Sequence, residues 1–245
     1  GQGIPADSPL LPENWAYNPD LPDYPYDPAR ASQLLDEAGW VDSDGDGVRD
    51  KDGRPLAFRL HTNDDSLRAA LIERIAADWQ QLGIQVSAQA IPFNDLVGDL
   101  LGPRSFDAAL IGWEQTGDPD PYPLWHSTQG TGGGQNYSGW DNEEADAIME
   151  QARAISDPAA RAQLYGRFQE IFMNELPAAP IYYPVYTYGV SSDVHNVQIG
   201  ALNQASERFE TFADWYMLTR RVPANQVPDD APPAAPGSAS ESEQQ

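Results

Sequence analysis

The order strand, helix, strand between residues 56 and 90 limits the fold more than any other feature of the chain. Leu56, Phe58 and Leu60 alternate with Ala57, Arg59 and His61, the period-two pattern of a strand. Leu67, Leu71, Ile75 and Leu82 then lie near one helical stripe, widened by Ile72 and Trp79, with Asp64, Asp65 or Ser66 as cap. Gly83 stops this helix, and Ile84, Val86, Ala88 and Ala90 alternate again. This order predicts an α/β architecture with a partly parallel sheet.

The flanking segments extend the pattern. Asp27 and Pro28 are a cap and a first helical residue, followed by Ala31, Leu34, Leu35 and Ala38 at helical spacing and by Gly39 as a stop. A short helix is expected near Phe93 to Leu101, and Phe106 to Trp113 reads as a buried strand. A long Gly/Pro/aromatic loop follows from Glu114 to Trp140. Two helices are expected near Glu143 to Ala154 and Ala159 to Asn174, broken at Asp157-Pro158, and then a β-rich stretch from Ala179 to Val190. The Phe209 to Leu218 segment is apolar and is expected to pack back on the body. Four regions result: an irregular stretch 1–28, an α/β body 29–178, a crossover 179–221, and a tail 222–245. The tail is rich in Pro, Ala, Ser and acid and lacks aromatic residues, so disorder is expected there.

Charge and composition remove whole classes of function. The 245 residues carry 38 Asp and Glu against 14 Lys and Arg, a net charge of −24. Such a chain repels nucleic-acid phosphates and anionic lipid surfaces. No apolar run is long enough to span a bilayer as a helix. With no cysteine, the chain has no disulfide, thiolate nucleophile, zinc–thiolate site or iron–sulfur cluster.

Two segments can carry chemistry. Asp42, Asp44 and Asp46 at alternate positions, with Gly47 next and the Val48 carbonyl after it, follow the opening of an EF-hand-like calcium loop. The twelfth position is Gly53 in place of the bidentate Glu, so Asp50 or Asp52 must complete the set. A calcium ion here would be structural, relieving repulsion among five acids in one turn. No other cofactor is expected. The second segment is the aromatic loop. Trp113, Glu114, Gln115, Thr116, Asp118, Asp120, Tyr122, Trp125, His126 and Asn136 combine rings with a few polar groups at a strand's carboxyl end, which suits a ligand site.

Enzymatic readings have less support. The chain has no GxSxG elbow and no HExxH helix, and His61, His126 and His195 share no metal spacing. Gly130 to Gly134 is glycine-rich but is followed by no lysine, unlike a phosphate cradle. Carboxylate pairs such as Asp118 with Glu114 or Asp120 leave a hydrolase as an alternative. A calcium-dependent structural module is another.

Several ordered segments resemble the family 5 extracellular solute-binding proteins, the dipeptide, oligopeptide and nickel receptors of ABC importers. They are Tyr26-Asp27-Pro28 with Glu37 to Trp40, the acidic turn from Asp42 to Gly53, and Trp79 to Ile84. Phe106 to Trp113, Asp118 to Pro121, and Asn136 to Trp140 with Asn142 and Asp146 follow. Arg161 with Leu164-Tyr165, and Pro177 with Pro180 to Tyr182, complete the series, which covers about Gly1 to Met217. The resemblance implies the second lobe of a class II periplasmic-binding-protein-like receptor, a mixed sheet flanked by helices, with the chain as a C-terminal half. It implies a monomeric receptor outside the cytoplasm, lipid-anchored through a preceding segment. Such a receptor closes on a peptide between two lobes and delivers it to permease subunits. Related receptors place an Asp for the ligand's α-ammonium a few residues after the Gly-Trp pair. Here Gln115 or Thr116 stands at that place, with Glu114 and Asp118 as substitutes. An oligosaccharide or other small solute stacking on Trp113 or Trp125 is therefore the alternative ligand.

Overall fold

A computed structural model describes residues 3–114, 117–200, 202 and 205–218. They divide into two units. One takes the described residues through Tyr186 together with 202 and 205–207, and the other takes 187–200 and 208–218.

In the first unit, strand β1 (Gly3–Pro5) opens the chain and helix α1 (Pro28–Glu37) follows. Pro28 occupies the first turn of α1, and the Asp27 side chain accepts the Arg30 amide. Strands β2 (Asp50–Lys51) and β3 (Arg54–Pro55) form a hairpin, with Asp52 (φ 55°) and Gly53 (φ 71°) at its turn. Strand β4 (Ala57–Asn63), helix α2 (Ser66–Gln80) and strand β5 (Gln85–Ile91) are the expected strand–helix–strand unit. β4 and β5 are parallel from Ala57↔Gln85 to Asn63↔Ile91. Asp65 caps α2 by accepting the Arg68 amide. The sheet core is Leu60, Ile72, Ala76 and Val86, with Phe58 edge-on to Trp79 at 5.5 Å. The helical phase is set by Ile72, Ala76 and Trp79, so Leu67 stands at the rim, 48 % exposed, outside the core expected for it.

Helix α3 (Phe93–Asp95) runs into a π-helical stretch, Leu96–Leu101, which buries Leu96 and Leu101. Strand β6 (Ala108–Ala109) then pairs in parallel with the other edge of β4, giving the order β5-β4-β6. The buried strand expected from Phe106 to Trp113 contracts to these two residues, and none of the eight is fully buried. Side chains account for the shortening. Asp107 accepts the Arg59 amide, and Thr62 Oγ1 donates to the Leu110 carbonyl, so side chains take ladder positions at both ends.

The helical part of this unit comprises α4 (Tyr122–Trp125), α5 (Glu143–Ala154) and α6 (Pro158–Glu175). Asn142 caps α5 and Asp157 caps α6. Trp125, Ile148, Met149, Phe168 and Phe172 form its core, with Trp140 packed against it. α6 also holds the chain's opening stretch, which apart from β1 has little regular structure. Leu10 and Ala16 cluster with Tyr165 and Ala152. Buried Gln169 accepts from Ser8 Oγ and the Asn18 amide and donates to the carbonyls of Ala16 and Tyr165. β1 pairs antiparallel with β7 (Tyr182–Pro184). The β-rich run expected from Ala179 to Val190 is thus three residues in strand form, since Pro180 and Pro184 offer no ladder amide.

The second unit is small. Strands β8 (Val194–His195) and β9 (Tyr216–Met217) pair antiparallel, and Tyr188, Phe209, Phe212 and Trp215 group their rings 5.6–6.5 Å apart. The tail 222–245 lies outside the described residues.

Candidate functional site

A parallel sheet binds ligands outside the carboxyl ends of its strands, where neighbouring connections diverge. Here β4 is central; its own crossover leads to β5 on one side, and β6 lies on the other. The crevice therefore lies between the segments that leave β4 and β6. The first brings Asn63 and Arg68, and the second brings Gly112, Trp113 and Glu114. Arg68 Nη1 donates to Asn63 Oδ1 at 2.8 Å. The same guanidinium lies against Gly112, where an added Cβ would stand 2.8 Å from Nη2. Trp113 is 37 % exposed and meets Trp125 edge-on at 5.0 Å, so its ring is both held and presented. Among the described residues, no backbone hydrogen bond engages Gly112, Trp113 or Glu114. Phe93, more than half exposed, starts the segment leaving β5.

The ten loop residues expected at a ligand separate into three places. Trp113 and Glu114 stand at the carboxyl edge, whereas Gln115 and Thr116 lie outside the described residues. Asp118, Asp120 and Tyr122 belong to a cluster of ion pairs. Asp118 receives both Arg161 Nη atoms at 3.0 and 2.7 Å, and Arg161 also donates to the Tyr165 hydroxyl. The Asp118 bond pushes the Arg161 pKa further up. Asp120 pairs with Arg153 at 2.8 Å, and the Arg153 guanidinium lies 3.9 Å from the Tyr122 ring centre. These two pairs line an open cavity of about 480 Å³ with Pro123, Ile155 and Ser156.

Trp125, His126 and Asn136 are interior. Trp125 joins the helical core against Phe172. His126 stacks on Tyr122 at 4.0 Å, its Nδ1 accepts the Thr128 amide, and its Nε2 faces Glu150 at 3.5 Å and Asp146 at 3.8 Å. Asn136 has no exposed surface. Its Nδ2 donates to the carbonyls of Trp125, His126 and Trp140, and its Oδ1 accepts from Ser138 Oγ and the Trp140 amide. It closes the loop on itself and has no polar atom left for a ligand. The edge also contains residues that the aromatic pattern did not reveal, Asn63, Arg68 and Phe93. Applying the carboxyl-end rule to β4 and β5, as well as to β6, would have found them.

The acidic turn brings carboxylate oxygens of Asp42, Asp44 and Asp50 within 4.8 Å of one another. Asp42 accepts the amides of Gly45 and Gly47, two glycines with φ of 82° and 90°. Asp50 accepts from the Ser43 amide and hydroxyl, bonds that hold its carboxyl below the usual range. Asp46 and Asp52 are not in this group. Asp46 accepts the Val48 amide, and Asp52 is at the β2–β3 turn.

Residues 1–135 match the model of the bacterial extracellular solute-binding proteins, family 5 Middle. The chain is 32% identical over 213 residues to the oligopeptide-binding protein AppA of Bacillus subtilis, covering 81% of this chain and 39% of AppA. It is 28% identical over 206 residues to the dipeptide-binding protein of Escherichia coli, covering 83% and 37%. The solved structure of AppA in complex with a nonapeptide superposes with a TM-score of 0.72 at 29% identity, covering 89% of this chain and 43% of AppA. The chain thus spans about four-tenths of the length of these relatives. No helix among the described residues is long and apolar enough to cross a membrane.

Proposed function

Since the chain belongs to the family 5 bacterial extracellular solute-binding proteins, we propose that it serves as a peptide-binding component of an ABC importer. It contributes the second lobe of a cleft that closes on the ligand and presents it to permease subunits. The protein works outside the cytoplasm, held by a lipid anchor, as a monomer that leaves its ligand chemically intact.

The carrying observation is that, among the described residues, the backbone of Gly112, Trp113 and Glu114 at the carboxyl edge of the sheet has no backbone partner. Exposed amides and carbonyls at a strand's end suit an extended peptide, whose own backbone supplies the partners. Main-chain recognition is indifferent to side chains, so one cleft accepts many peptides. Trp113 adds an apolar face, which is also what an oligosaccharide would use.

Titration calorimetry with alanine peptides of two to nine residues tests this reading. Saturable binding with the peptide recovered intact is expected. Binding of an oligosaccharide in its place, or time-dependent cleavage of the peptide, overturns it.

We further propose that the acidic turn takes a calcium ion on Asp42, Asp44 and Asp50, with a purely structural role. Saturating calcium should then raise the melting temperature, and Asp42→Asn with Asp44→Asn should abolish that rise. An unmutated protein that melts identically in calcium and in chelator refutes the site.

A further inference from the structure

We infer that Arg68 anchors a carboxylate of the ligand at the point where the segments leaving β4 and β6 diverge. This inference rests on the solute-binding reading above and specifies the chemistry at one end of that site.

With 38 acids to 14 basic residues, cations here have abundant partners. Arg30, Arg49, Arg59, Arg74, Arg153, Arg161 and Arg167 each have a carboxylate oxygen within 4 Å. Among the described residues, Arg54, Arg68 and Arg104 have none; Arg54 is exposed on β3, and Arg104 spends its Nη atoms on the carbonyls of Gly102, Gln129 and Gly134. The Arg68 side chain makes a single hydrogen bond, to the neutral Asn63 amide. Asp65, three residues earlier, directs its carboxylate to the Arg68 backbone amide as the α2 cap. Of the five guanidinium donors, Nε and Nη2 therefore have no protein acceptor among the described residues. They form the planar fork that matches a carboxylate.

The fork's position is fixed. Asn63 holds one arm, and the bare Cα of Gly112 lets the other lie against the backbone that leads into Trp113. Arg68 is also in the first turn of α2, where the helix dipole favours an anion. An extended peptide pairing with residues 112–114 would thus bring a terminal or side-chain carboxylate to the guanidinium. On a chain of charge −24, anions are repelled in general, so a dedicated cation is needed to hold one.

The test uses the intact protein carrying this chain and three probes: penta-alanine as the free acid, its C-terminal amide, and amides carrying one glutamate at each position in turn. Tighter binding of the free acid than of the plain amide, by about 10-fold or more, is expected. Recovery of affinity by a glutamate amide would instead identify a side-chain carboxylate as the anchored group. Arg68→Gln should erase the acid-over-amide preference, read as the ratio of the two affinities, and Arg68→Lys should retain part of it. Gly112→Ala, which displaces the fork, should reduce the preference without removing a charge. Equal affinity for acid, amide and glutamate amides in the unmutated protein overturns the inference and leaves peptide binding standing. So does an Arg68→Gln protein that keeps the preference, or one that loses acid and amide affinity equally. Failure of every probe to bind overturns the peptide reading, and the Arg68 inference with it.

Discussion

Asn136, in a loop, and Arg68, in the first turn of α2, are both planar, multidonor side chains of the first unit, and they are used in opposite ways. Asn136 is wholly buried and makes five hydrogen bonds within its own loop. Arg68 is half-buried and makes one through its side chain. The aromatic rings around them divide likewise. Trp125 is interlocked with Phe172 and Met149, whereas Trp113 rests one edge on Trp125 and exposes much of its surface. A polar group whose valences are all used inside the protein is part of the scaffold; one held in place with donors to spare is available to a ligand. By this criterion the distal part of the 114–140 loop is scaffold and its first residues, with Arg68, are site.

If the helical core is the scaffold, damage to it should have the largest effects. Phe168 is fully buried between Trp140 and Phe172. Phe168→Ala should cost about 4 kcal/mol by the lost transfer energy and the cavity it leaves, seen as a lower denaturant midpoint with an unchanged slope. A cost below about 1 kcal/mol would mean that this core collapses without penalty, and the contrast with the edge would fail.

Asn136→Leu should cost about 3 kcal/mol, since the carbonyls of Trp125, His126 and Trp140 and the Trp140 amide lose their partner in a dry interior. Asn136→Asp keeps the acceptor and loses the donors, so it should be destabilising too, through a carboxylate facing carbonyls. Were Asn136 a ligand contact, both variants would leave the melting temperature near its original value and change only affinity.

The sequence disclosed the periodic elements and hid their extents. The caps at Asp27 and Asp65 and the break at Asp157-Pro158 are local chemistry and could be read directly. The length of β6 could not, because it depends on Asp107 reaching the Arg59 amide across the sheet. The phase of α2 was also ambiguous, since Leu67 and Leu71 fit a stripe as well as Ile72 and Ala76 do. For the proposed site, aromatic density pointed to the 114–140 loop but not to which of its rings face outward, because cores and ligand sites favour the same residues. Arg68 gave no local signal at all; its role depends on contact with a glycine distant in sequence.

Tyr183 sharpens the comparison through pH. Its hydroxyl accepts the Ser8 amide and lies within 2.9 Å of the Ser8 and Leu10 carbonyls, joining the opening stretch to β7. Burial and the nearby Asp7 push its pKa well above the ordinary tyrosine value, and burial with Asp7 pushes Tyr17 up to about 12. A folded-state pKa raised above the unfolded one gives stability that is complete below about pH 10 and is lost as pH rises through the folded value. Denaturation midpoints should therefore be flat to about pH 10 and fall beyond it. Tyr183→Phe should lower stability at neutral pH by about 1 kcal/mol and flatten the alkaline fall. An equally steep fall in the variant would assign the alkaline loss to other groups.

The smallest effect on stability is expected at the edge. Arg68→Gln removes one part-buried hydrogen bond, to Asn63, and no ion pair among the described residues, so stability should change by less than about 0.5 kcal/mol. It could even rise slightly, because an unpaired guanidinium beside Gly112 is partly desolvated without a counter-charge. A loss of 2 kcal/mol or more would place Arg68 among the scaffold groups with Asn136, and the distinction between spent and spare donors would no longer separate site from support. A near-zero change joined to a large change in carboxylate affinity would mean that Arg68 is maintained for a partner the folded chain does not itself supply.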